Sequence, residues 1–171
     1  MSETSRRAPD AVDAWRMVAA GRCFEGTLAL ADLARLRGSL CDPQGTVRYV
    51  ARFGTGPAGA PEVRLQVEAA LPLTCQRSLR RFELPVRLEL ALGLLRDEAG
   101  EAALPPGHEP LLVPADGQLR LADLVEDELI LALPVVPVAP DAEVVERTFG
   151  PSAEETARTS PFAALAGWKK E

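Results

Sequence analysis

Residues 63–92 read VRLQVEAALPLTCQRSLRRFELPVRLELAL. Val63, Leu65, Val67, Ala69 and Leu71 alternate with Arg64, Gln66 and Glu68; Phe82, Leu84, Val86, Leu88, Leu90 and Leu92 alternate with Glu83, Pro85, Arg87 and Glu89. A period of two over this length sends apolar side chains to one face and charged ones to the other. It predicts two strands of an antiparallel sheet with one face buried and one wet. Pro85 lies on the outward register and has no N–H to give to a ladder, which marks an edge or a bulge. The connection QRSLRR gathers Arg77, Arg80 and Arg81 in one basic turn.

Upstream, TVRYVARF (46–53) repeats the alternation, with Val47, Tyr49, Ala51 and Phe53 against Arg48 and Arg52. GTGPAGAP (54–61) is a turn or hairpin loop by its Gly and Pro content. CFEGTLAL reads as a further strand, and ADLARLRG, with Leu33, Leu36 and Leu40 on one side, as a short helix or helical turn. DAVDAWRMVAA (10–20) has the spacing of a short helix behind an Asp10 cap, with Gly21 as its stop. Residues 1–9 are polar and lead into no signal-peptide core.

Downstream, residues 97–118 lack sustained periodicity and are rich in Pro, Gly and acid. They predict a long loop with one extended piece at Leu111 to Val113, and the lone histidine, His108, reads as an exposed loop residue. Leu121, Leu124, Val125, Leu129 and Ala132 then recur at helical spacing, so 121 to about 132 forms an amphipathic helix that stops ahead of Pro134. Four carboxylates, Asp123, Glu126, Asp127 and Glu128, crowd into it. The early ones sit near the positive end of the helix dipole, where a carboxylate is favourable by about 0.3–1 kcal/mol. Glu128 lies on the apolar side, where an arginine from the sheet must meet it or the site must stay wet. PVVPVAP cannot continue the helix and suits an extended edge or irregular segment. Residues 149–159 have a linker's composition, and SPFAALAGWKK carries a helix signature with Ser160 as cap, Pro161 in the first turn and Phe162, Leu165 and Trp168 on one stripe.

The architecture expected is therefore α+β: an antiparallel sheet with short N-terminal helices, one acidic amphipathic helix packed on it, and a C-terminal tail helix. Residues 10–148 make one domain and 149–171 a polar linker with an apolar hook. That hook either packs back on its own domain or docks in a groove of another protein. The wholly apolar runs fall well short of the roughly 20 residues of a membrane helix. Three cysteines at wide spacings, Cys23, Cys41 and Cys75, suit reduced thiols, and the expected location is cytoplasmic.

The net charge of −6 conceals an asymmetry: residues 1–96 hold 14 basic and 10 acidic groups, whereas 97–146 hold one basic group, Arg120, and 12 acidic. So acidic a second half argues against non-specific nucleic-acid binding, which runs on phosphate neutralisation, and confines any RNA contact to the first half.

CQRSLRRFELPV (75–86), DGQLRLADLVEDELILALPVVPV (116–138) and FGPSAEETARTSPFAALAGWKK (149–170) together resemble the bacterial YceD family of large-subunit ribosomal RNA accumulation factors. The likeness is strongest in the second half. It implies a role in the synthesis, processing or stability of precursor large-subunit rRNA in the cytoplasm. Many members carry a Cys-x-x-Cys pair where this chain has Cys75 and Ser78, a His after PVVPV where it has Ala139, and a further Cys beyond. Together those would be a metal site. With one ligand left, no bound zinc and no cofactor are expected. Members also tend to have an acid where this chain has Arg120, which removes a helix cap.

No G-x-S-x-G, HExxH or P-loop occurs, and no His is partnered with a thiol or hydroxyl in a recognisable pattern, so neither an enzyme nor a small-molecule substrate is expected. Two readings remain. In the first the chain is an adaptor gripping a protein of ribosome assembly or RNA processing through Glu126, Asp127 and Glu128 or through Phe162, Leu165 and Trp168. In the second it contacts precursor rRNA directly through Arg77, Arg80 and Arg81, whose guanidinium groups suit phosphate.

Overall fold

The computed structural model describes residues 10–142. Its centre is a five-stranded sheet in the order β2 (Cys23–Ala29), β3 (Thr46–Thr55), β4 (Pro61–Thr74), β5 (Arg81–Leu95) and β6 (Glu109–Leu112). The first four strands are antiparallel neighbours in chain order. This is the mixed α+β class that the alternation predicts. The registers follow the pattern: Val67 lies opposite both Tyr49 and Leu88, so the apolar residues of three strands share one face. Val47, Tyr49, Ala51, Phe53, Val63, Leu65, Val67, Leu71 and Leu92 are buried there.

Three helices cover that face: α1 (Ala14–Ala19), α2 (Ala34–Arg37) and α3 (Leu121–Leu131). Leu33 and Leu36 around α2, and Leu121, Leu124, Val125 and Leu129 of α3, join the same core. Burial of side chains of this size stabilises by about 1.5–3 kcal/mol each, which holds short helices that would not form alone. Among the described residues nothing covers the opposite face of the sheet. It is a groove of about 560 Å³ whose lining includes Arg48, Val50, Gln66, Glu68, Arg87 and Glu89.

Three expectations are corrected. The helix near the N-terminus is capped by Asp13, whose Oδ1 accepts the N–H of Arg16 at 3.0 Å, and not by Asp10; residues 12–13 form β1, paired with β7 (Gln118–Leu119). Competition from that pairing shortens the helix, which periodicity alone could not register. The segment 97–118 is not one loop with a single extended piece, because Glu98–Ala103 winds as a 3-10 helix and β6 adds to β5 in parallel. Finally, His108 is not exposed: its side chain is 7% accessible, sealed against Glu62 of β4.

Candidate functional site

The acidic helix is the element on which the candidate site is built. It starts at Arg120, which has no side-chain capping bond, so only Asp123 meets the helix dipole in the first turn. Arg120 Nε lies 3.5 Å from Asp123 Oδ2. The four carboxylates then divide by their neighbours. Glu126 is 5% accessible and faces α2. Its Oε1 accepts the backbone N–H of Arg35 at 2.7 Å and of Leu36 at 3.0 Å, while Oε2 accepts the Arg35 guanidinium at 3.1 and 3.0 Å. Buried carboxylates need this degree of pairing. The same guanidinium reaches Asp127 Oδ1 and the carbonyl of Asp123.

Glu128, expected either to meet an arginine from the sheet or to stay wet, has no ion-pair partner among the described residues. It is half-buried, and burial first, then the charges of Glu109 and Asp127, push its carboxyl above the usual range. The arginine went to Glu126 because α2, and not the sheet, flanks the acidic side of α3. Beyond Glu128 the surface turns apolar: Leu131 is 77% accessible, Val135 99% and Val136 61%, with Leu112 of β6 at 48%.

The segment after α3 is tied to the arginine turn. The Gln76 N–H donates to the Pro137 carbonyl at 2.8 Å, and the Ala139 N–H points at Cys75 Sγ at 3.3 Å. The turn itself closes with the Leu79 N–H on the Cys75 carbonyl at 2.8 Å and the Cys75 N–H on that of Arg80 at 2.9 Å. Leu79 takes φ 57° and is 76% accessible, a conformation that favours glycine. Arg77 and Arg80 are exposed and make no ion pair among the described residues. Arg81 differs: Asp42 holds it at 2.7 Å and Glu83 at 3.2 Å, and both carboxylates raise its pKa. Of the three arginines singled out in the sequence, two are free to meet a ligand.

Cys75 is fully buried, and hydrogen bonds from Ser78, then from the amides of Ala139 and Ser78, bring its thiol down to about 7. Positions 75, 78 and 139 therefore do come together in space. The groups found there are one thiol, one hydroxyl and a methyl, which is too few donors for a metal. Among the described residues no three His, Cys, Asp or Glu side chains are grouped to hold a cation.

Two features escaped the sequence. Glu62, 5% accessible, accepts Arg64 Nε at 2.7 Å and meets His108 Nε2 at 2.6 Å. Burial would raise its carboxyl, but these two partners outweigh that and hold it low. His108 Nδ1 is buried with no hydrogen-bond partner among the described residues. No local signal links residues 46 positions apart. The second feature is the open groove. Its lining holds three carboxylates, Glu25, Glu68 and Glu89, against two arginines, Arg48 and Arg87, both of which meet Glu68 at 3.0 Å, so it is a poor platform for a polyanion. Glu126, Asp127 and Glu128 lie on one helix with different surroundings, Arg77, Arg80 and Arg81 lie together on the turn, and Phe162, Leu165 and Trp168 lie outside the described residues.

No described helix is long and apolar enough to cross a membrane. No solved structure matches the chain. A curated relative from Haemophilus influenzae, the large ribosomal RNA subunit accumulation protein YceD, is 29% identical over 153 residues, which is 86% of this chain and 88% of the relative. The family model for the large ribosomal RNA subunit accumulation protein YceD matches residues 63–169, which include β4, β5, the arginine turn and α3. With well over half of its length inside that match, the chain belongs to the YceD family.

Proposed function

We propose that this protein supports the accumulation of large-subunit ribosomal RNA in the cytoplasm by binding and not by catalysis, as an adaptor that grips a basic segment of a protein partner. Family membership supports the rRNA role. The observation that carries the adaptor reading is Glu128: a half-buried carboxylate crowded by Glu109 and Asp127, with no cation of its own among the described residues. A basic side chain from outside relieves that crowding, and the exposed Leu131, Val135 and Val136 beside it supply apolar contact. Glu126 has no part in that contact, because its carboxylate is used up by α2. Phe162, Leu165 and Trp168 offer a second grip at the end of the polar tether. No cofactor, metal or small-molecule substrate is required.

A second reading has one observation in its favour: Arg77 and Arg80 stand exposed on either side of Leu79, without ion pairs among the described residues, which suits direct contact with precursor rRNA. Arg81 drops out of that set because Asp42 and Glu83 occupy it. The two readings separate in cells lacking the chromosomal copy, with the ratio of large-subunit to small-subunit rRNA as the readout. The adaptor reading expects Glu128→Lys with Leu131→Asp to fail to restore the ratio while Arg77→Gln with Arg80→Gln restores it. The reverse outcome transfers the function to the arginine turn.

A further inference from the structure

β5 has a neighbour on one side only over most of its length. It pairs with β4 from Arg81 to Gly93, but β6 joins it only at Leu92. Among the described residues no strand pairs with its outer edge from Arg81 to Ala91. Two bonds show which backbone groups face that edge. The Arg80 carbonyl accepts the Cys75 N–H on the β4 side, and the Leu95 carbonyl accepts the Val113 N–H on the β6 side. Since backbone groups alternate sides along a strand, even positions serve β4 and odd positions, Arg81, Glu83, Pro85, Arg87 and Glu89, face outward.

Those five residues are nearly their own complement. Laid antiparallel on a second copy with Pro85 on the twofold axis, Arg81 meets Glu89 and Glu83 meets Arg87. On the other face Phe82 meets Leu88, and Leu84 meets Val86. Opposite charges across strands stabilise the pairing, and like charges oppose it. A slip of two residues one way sets Arg81 against Arg87, and the other way Glu83 against Glu89, so charge selects one register. Phe82, Leu84 and Leu88 are half-buried, which leaves apolar surface for a further strand to cover. Two features oppose this pairing. Arg81 is already held by Asp42 and Glu83, and Arg87 by Glu68, so the second copy shares those ion pairs. Pro85 falls at a hydrogen-bonded position on the axis, where neither copy has an N–H and each carbonyl would face the other copy's proline ring with no donor.

We propose that the outer edge of β5, residues 81–91, is an interaction surface matched to a second copy of this chain, and that Pro85 is the residue that withholds the pairing. Edge strands need such a guard, and a proline on the outward register is one of the known devices. Restoring an N–H at position 85 joins two chains edge to edge through an isologous interface.

The test is the mass of the full chain by light scattering across a dilution series, with thermal melting to confirm folding. Wild type is expected at the protomer mass of 18.3 kDa and Pro85→Thr at twice that. Adding Arg87→Glu to Pro85→Thr sets two carboxylates opposite each other and returns the protomer; adding Glu83→Arg as well restores the dimer. In a second measurement Pro85→Cys with Cys23→Ser and Cys41→Ser forms a disulfide-linked dimer on oxidation, because opposed Cα atoms at such a pair lie about 5.5 Å apart. A folded Pro85→Thr chain that stays a protomer overturns the proposal. So does a dimer indifferent to Arg87→Glu, or a wild type that already dimerises.

Discussion

Glu126 and Arg35 lock α3 to α2: Glu126 accepts three hydrogen bonds, from the backbone N–H groups of Arg35 and Leu36 at 2.7 and 3.0 Å and from Arg35 Nε at 3.1 Å, and Arg35 Nη2 adds an ion-pair contact at 3.0 Å. α2 is only four residues long, so these amide groups have no other partner. Replacing Glu126 by Ala strands both, along with a guanidinium, and is expected to cost about 3 kcal/mol of stability. Glu126→Gln keeps an acceptor and should cost less than half of that. Urea unfolding of the two variants checks the order; equal losses would mean that the carboxylate's charge, and not its acceptor role, holds the helices.

Glu128 should behave in the opposite sense. Its folded-state pKa is raised, so the penalty for its charge is absent below the unfolded-state value and appears as pH rises through the folded one. Glu128→Gln is expected to raise the melting temperature at neutral pH by about 2 °C and to change it little near pH 4. Melting curves at the two pH values measure this directly, and a neutral-pH loss would show that a cation does pair with Glu128.

The Glu62 and His108 contact makes a different pH statement. The Glu62 carboxyl is depressed in the fold, so its contribution is fully present above the unfolded value of about 4.3 and is lost as pH falls through the folded one. Wild type should therefore lose stability in acid more steeply than Glu62→Gln. Gly56→Ala tests the same pocket by another route, because a Cβ there would lie 2.0 Å from Glu62 Oε2. A loss of about 1–3 kcal/mol is expected from the displaced carboxylate. If Gly56→Ala melts with wild type, the pocket yields more easily than its geometry implies.

The three cysteines should divide into two classes. Cys23 and Cys41 are exposed, while Cys75 is buried although hydrogen bonds lower its thiol to about 7. Access and not acidity should rule, so native protein is expected to take up two equivalents of iodoacetamide and a third only on unfolding. Cys41 should react more slowly than its exposure suggests, because burial and Asp42 raise its thiol. Mass spectrometry of quenched samples reads both orders.

Much of the fold was legible because period-two and period-3.6 patterns are local. Val63 to Leu71, Phe82 to Leu92 and Leu121 to Leu131 each show the face they bury, and their side chains need no distant partner to declare it. The acidic helix and the arginine turn were legible for the same reason. What could not be read was which of the helix's carboxylates would be satisfied. The spacing leaves Glu128 either to an arginine from the sheet or to water, and it stays partly exposed without an arginine; the clamp that no spacing announces formed on Glu126, from an arginine 91 positions earlier. His108 was misread likewise, since its partner lies 46 positions away and its own loop looks solvent-borne.

The sequence by itself determined the α+β class, the alternating strands that became β3 to β5 and the family, all of which rest on patterns within a few residues of each other. Only the tertiary structure decided the parallel docking of β6, the burial of Glu126 against α2, the pairing of His108 with Glu62 and the loss of Arg81 to Asp42 and Glu83. The physical reason is common to these four. The worth of a charge or a backbone edge depends on what is packed against it, and packing joins residues that no local periodicity connects.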